Sequence, residues 1–138
     1  MQRNLRMAGI LFLIPFLATA QNKDYKVVFD LTSKDSLDQK SVIRWLNEVS
    51  KGNPDAKMEV VMYGQGFNLV TKERTTLGNA VTSLLANKNI SFKVCEISLK
   101  NNNIDKSQLL PGVETVPDGI YEIISKQRGG WGYIKAVH

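Results

Sequence analysis

Apolar runs of strand length alternate with amphipathic runs of helical period along most of this chain. Residues 25–32, YKVVFDLT, set Val27, Val28, Phe29 and Leu31 almost side by side, as in a strand buried on both faces. SKDSLDQ follows, and Ser36 three residues ahead of Gln39 predicts a capped helix start. Val42, Trp45, Leu46 and Val49 then recur at helical spacing until Gly52, Asn53 and Pro54 stop the run. KMEVVMYG (57–64) reads as a second strand entering a loop at Gly64–Gly66, and about Thr75 to Asn87 as a second helix with Leu77, Val81, Leu84 and Leu85 on one face. ISFKVC (90–95) is a third strand. LLPGVETVPDG is turn-rich and leaves room for a short fourth strand around Val113–Val116. Asp118 is placed to cap a helix over 119–128, Gly129 and Gly130 end it, and WGYIKAV is the last strand.

Strand and helix alternate with connections too long for hairpins, which predicts an α/β fold: a three-layer α/β/α sandwich around a mostly parallel sheet. No internal repeat or low-complexity linker divides the chain, so residues 21–138 are expected to be one domain.

The first twenty residues break the alternation. Arg3 and Arg6 precede an apolar run from Met7 to Leu17, closed by Ala18, Thr19 and Ala20 in a small-x-small pattern. The run falls short of the roughly 20 apolar residues that span a bilayer, so residues 1–20 read as a secretory signal peptide with Gln21 the expected mature start. The protein is therefore expected to be periplasmic or otherwise exported, with no membrane segment after cleavage. Net charge falls from +5 to +3, because Arg3 and Arg6 leave and no acid does. The remaining charges are interspersed rather than blocked, which argues a solvated surface and excludes a nucleic-acid footprint.

Cys95, the only cysteine, cannot form an internal disulfide, so an exported domain would rest on its core alone. It closes the third strand, and reactive groups of open α/β sheets gather beyond the carboxyl ends of strands. Lys93 shares its strand face and Lys100 follows. Both favour the thiolate, as would a helical turn starting after Cys95, whereas Glu96 is expected on the opposite face. Free cysteine also often simply packs, and the residues alone leave a reactive and a structural Cys95 both open. The YGQGFN loop (Tyr63, Gly64, Gln65, Gly66, Asn68) stands at the end of the second strand. Its G-x-G lacks the third glycine of a dinucleotide fingerprint and the lysine of a P-loop, so it reads as a turn whose amides line a small pocket at most. His138 is the only histidine, and there is no C-x-x-C, so neither a Cys–His dyad, a histidine metal cluster nor a dithiol is expected.

The succession ISFKVCEISLKNNNID, LLPGVETVPDGIYEIISKQRGGWGYIK resembles the DsrE/DsrF-like family, in particular its small single-domain members. The features that carry it are a strand ending in cysteine, a short polar helix, a leucine pair, a V–VP–G segment and a final Q–GW–YIK strand. The similarity covers about residues 25–136. It implies a five-stranded parallel sheet, assembly into homotrimers or homohexamers, and a role for Cys95 in carrying sulfane sulfur as a persulfide to a thiol partner protein, with no cofactor and no metal. Tyr63 stands where many members have histidine. The alternative is a non-catalytic oligomeric module that binds a small ligand or protein, with Cys95 packed and the YGQGFN loop lining the pocket.

Overall fold

The computed structural model describes residues 24–137, so the segment read as a signal peptide lies outside the described residues. Strands β1 (Lys26–Leu31), β2 (Lys57–Met62), β3 (Ile90–Cys95), β4 (Glu114–Val116) and β5 (Gly132–Lys135) form a five-stranded sheet in the order β4-β3-β2-β1-β5. Every pairing is parallel. The helices are α1 (Ser36–Gly52), α2 (Gly78–Leu85), α3 (Glu96–Asn101) and α4 (Gly119–Arg128), with short 3-10 turns at Gly66–Val70 and Lys106–Gln108. This is the expected α/β/α sandwich.

Strand side chains alternate between faces, and the two faces are covered very differently. On one, Phe29, Leu31, Val60, Met62, Phe92 and Val94 meet Val42, Ile43 and Leu46 of α1 and Val81 and Leu84 of α2 in the main core. Trp45 stacks on Phe29 with ring centroids 6.2 Å apart. Among the described residues the other face carries only α4, which crosses from β4 at one edge to β5 at the other. Its buried apolar cluster is Val28, Val61 and Ile123, edged by Tyr63 and Trp131. That thin layer makes room for buried polar groups.

Several boundaries shift from the sequence reading. The cap of α1 is Asp35 rather than Ser36: its carboxylate accepts the Leu37 N–H at 2.7 Å, and Ser36 is already helical. The second strand stops at Met62, because Tyr63 and Gly64 turn away. α2 is shorter than 75–87. The Thr75 hydroxyl accepts the Leu77 N–H at 3.0 Å, a local bond that competes with helix before Gly78. After Leu85 the backbone tightens, with Asn87 N–H bonded to Leu84 O at 3.0 Å. By contrast β3 and α4 have the expected limits, and the Asp118 carboxylate accepts the Ile120 N–H at 2.9 Å.

Candidate functional site

Cys95 ends β3 and is at once the residue that caps α3. Its backbone is extended there (φ −67°, ψ 121°), and its side chain makes no capping hydrogen bond. The thiol lies on the α4 face and is buried, 4% exposed. Gly119, first residue of α4, sits directly over it. A β-carbon at Gly119 would lie 3.2 Å from Cys95 Cβ, 3.3 Å from Val61 Cγ1 and 3.4 Å from Tyr63 Cβ. Cys95 and Tyr63 are thus neighbours at the carboxyl edge of the sheet, roofed by the start of α4.

Lys93 is on the same face, as expected from its spacing, but its ammonium turns away from the strand end. Its Nζ is 3.3 Å from Glu59 Oε2 and 3.5 Å from Glu122 Oε1. Lys126 of α4 approaches the same two carboxylates at 2.9 and 3.4 Å. Ser91 donates its hydroxyl to Glu59 Oε2 at 3.2 Å, and Glu59 Oε1 is buried with no donor among the described residues. Glu59 is 2% exposed in the middle of the sheet. Burial, with the neighbouring Glu122 carboxyl second, raises its pKa above the usual glutamate range despite the two lysines. For Glu122 burial pulls upward too, but the Glu59 carboxyl and the lysines win and lower it. The two acids therefore titrate as a pair, with Glu59 holding its proton to higher pH. Burial disfavours the Lys93 cation, and Glu59 and Glu122 more than offset that, so its pKa is raised.

A second polar group lies where β1 meets β5. Asp30 is 3% exposed, and its Oδ2 accepts the Tyr133 hydroxyl at 2.6 Å and the Tyr63 hydroxyl at 3.3 Å. The hydrogen bond to Asp30 pushes Tyr133 up to about 12, and burial followed by the Asp30 charge raises Tyr63. Tyr63 is therefore a held phenol donor and does not supply a base beside Cys95 at neutral pH.

The YGQGFN loop is organised for packing. Gly64 adopts φ +57°, and its N–H bonds the Ser98 hydroxyl at 2.9 Å. Gln65 Nε2 donates to Asn102 Oδ1 at 2.8 Å, and Arg74 donates to Asn68 Oδ1 at 3.2 Å. A β-carbon on Gly66 would fall 1.9 Å from the Leu31 carbonyl oxygen, so this glycine allows the loop to press against β1. The G-x-G thus joins the loop to α3 and β1. Surface grooves of about 360, 390 and 340 Å³ lie elsewhere, and none of the three is lined by Cys95 or by this loop. Among the described residues no group of acids, histidine and cysteine could hold a metal ion.

Asp30, Glu59, Glu122, Lys126 and Tyr133 were not singled out by the sequence pattern. The available signal was an acid inside an apolar strand run, in VVFDLT and KMEVVM, where burial requires a partner.

The sequence model of the DsrE/DsrF-like family matches residues 17–136. The chain belongs to the DsrE/DsrF-like family. Among solved structures, a protein of unknown function from Methanobacterium thermoautotrophicum is similar at 28% identity and TM-score 0.77, over 81% of this chain and 99% of that one. The ychN protein from E. coli matches at 11% identity and TM-score 0.67, over 81% of this chain and 98% of its own. A conserved protein of unknown function from Bacteroides thetaiotaomicron matches at 15% identity and TM-score 0.67, over 84% and 98%. These last two are likenesses of fold alone. No curated protein is matched. Membership gives this chain a fold related to sulfur relay.

Proposed function

We propose that this DsrE/DsrF-like protein is an exported sulfur handler in which Cys95 accepts sulfane sulfur and passes it to a thiol partner protein. The observation that carries the reading is the placement of Cys95. A thiol stands at the carboxyl end of an interior parallel strand, at a helix-capping position where it makes no cap. Serine there would cap α3 better, so helix capping does not account for the thiol.

The chemistry needs no cofactor. The Cys95 thiolate attacks the outer sulfur of a donor persulfide, one S–S bond forms, the donor's S–S bond breaks, and the donor leaves as thiolate. The same exchange in reverse hands the sulfur to the partner. The residues beside Cys95 hold geometry: Tyr63 is tied to Asp30, and Lys93 to two carboxylates. Incubation with a persulfide donor, followed by mass analysis of the native protein, tests the proposal.

Self-association belongs to the same reading. β5 is an edge strand, and Tyr25, Tyr133, Ile134 and Val137 near it are all exposed. An open apolar edge of this kind is a surface that a second copy can cover.

The second reading is a non-catalytic oligomeric binding module with a packed Cys95. The burial of Cys95, 4% exposed as a residue, favours it. Alkylation of the folded protein separates the two, since a merely packed thiol reacts only on unfolding.

A further inference from the structure

We propose that β4 and α4 together form a cover over Cys95 which must lift before the thiol reacts, and that the Glu59–Lys93–Glu122–Lys126 cluster, more than apolar packing, sets how readily it lifts. The inference rests on the reading of Cys95 as a sulfur carrier, because only a carrier needs the opening.

The closed arrangement leaves a reagent no approach from the α4 side. Gly119 roofs Cys95 at a spacing that a single added carbon would crowd, and Val116 of β4 is paired in register with Cys95. The unit that closes the site is weakly anchored. β4 is an edge strand of 3 residues, and α4 buries only Gly119 and Ile123, whereas α1 buries Val42, Ile43 and Leu46 in the main core. Segments with few buried apolar contacts open at lower free energy than the core. At its far end α4 runs into Gly129 and Gly130. Gly130 has φ +82° and nothing within 4 Å of its missing side chain, so the helix has a permissive pivot away from Cys95.

What remains to hold α4 down is charge. Glu122 and Lys126 of α4 meet Glu59 of β2 and Lys93 of β3, and Lys126 also lies over the Trp131 ring at 4.6 Å. Other titratable groups on this side include Asp30 of β1, Glu114 of β4 beside Lys93, Tyr63, Tyr133 of β5, and Asp118, whose carboxylate is used in capping α4, while Lys26, Lys57 and Lys135 share the same strand face by alternation. When both glutamates are protonated, the two lysines lose their counter-charges and the hold on α4 weakens. As pH falls Glu59, whose pKa is raised, takes up its proton first, and the hold weakens when Glu122 follows.

The test is the rate of iodoacetamide labelling of Cys95 in the full folded protein, followed through urea concentrations below the unfolding transition and corrected for thiolate fraction. Local opening exposes little surface, so the labelling rate is expected to depend on urea far less than global unfolding does. Lys126→Met removes a contact to a buried carboxylate and should speed labelling about tenfold or more. Glu122→Gln, which removes the carboxylate charge that Lys93 and Lys126 approach at 3.5 and 3.4 Å, should also speed it. Ile43→Val, on the opposite face, lowers global stability and should leave the low-urea rate unchanged. A urea dependence equal to that of global unfolding overturns the cover, as do unchanged rates in both α4 variants. Faster labelling in those variants without any persulfide uptake upholds the cover and removes the carrier reading instead.

Discussion

Gly66 has no room for a side chain, because an added β-carbon would sit 1.9 Å from the backbone oxygen of Leu31, and backbone cannot swing aside. Gly66→Ala should therefore destabilise the fold by about 3 kcal/mol or more, read as a lower urea midpoint. Cys95 presents the opposite case. A serine there buries a hydroxyl at a cost of about 1–3 kcal/mol. It also gains a helix cap for α3 worth about 0.5–2 kcal/mol. The two nearly cancel, so Cys95→Ser is expected within about 1 kcal/mol of the parent in urea melts while losing all sulfur uptake. That contrast separates the reactivity of the position from its packing.

At the scale of elements, α4 is joined to the sheet through a pair of acids whose pKa values are pushed apart. For Glu59 the folded value is raised, so its contribution to stability is present below the ordinary glutamate range and is lost as pH rises through the folded value. For Glu122 the folded value is lowered, so its contribution is present above that range and is lost as pH falls through the folded value. The hold is strongest between the two. Glutamine resembles the protonated acid, offering its oxygen to the lysines and its amide hydrogens to Glu122. Glu59→Gln should therefore keep the acid-side loss of stability and flatten the alkaline-side decline, as followed by urea midpoints against pH.

α4 and β3 were readable in the sequence because their signals are local: Asp118 before the helix, Gly129–Gly130 after it, and an alternating ISFKVC run bounded by polar residues. α2 was read too long because the Thr75 hydroxyl bond outcompetes helix over one turn, a choice that apolar spacing does not reveal. Cys95 and the loop stand out in the sequence by their place at strand ends, and Lys93 by sharing a strand face with Cys95. Their surroundings were not legible, because the partners are far apart in the chain. Tyr133 meets Asp30 from 103 residues away, and Lys126 reaches Glu59 only once α4 has crossed the sheet. The packing role of Gly66 depends likewise on a carbonyl of another strand.

For the whole molecule, the uneven coverage of the sheet is the main physical fact. One face is a complete apolar core, and the other, among the described residues, has one helix and a charge cluster around the buried Glu59, beside an exposed β5 edge. Covering that edge with a second copy would bury Tyr133 (41% exposed) and Ile134 (39% exposed), and would protect an open strand. Light scattering should then give a mass above the monomer at about 10 μM, and Ile134→Lys should return it to the monomer through an unpaired charge at the contact. A monomer for the parent chain at that concentration would leave the edge unexplained by self-association.

Whether Cys95 takes sulfur while the protein is folded decides between a carrier thiol and a packed one. The most direct measurement is the intact mass of the native protein after exposure to a low-molecular-weight persulfide, with the modified peptide mapped and the sulfur then chased by a thiol. The expected result is the gain of one sulfur atom at Cys95, its loss to the thiol, and no gain in Cys95→Ser. A folded protein whose mass does not change, while its urea-unfolded chain loads readily, would contradict the account and make Cys95 a packed residue of a binding module.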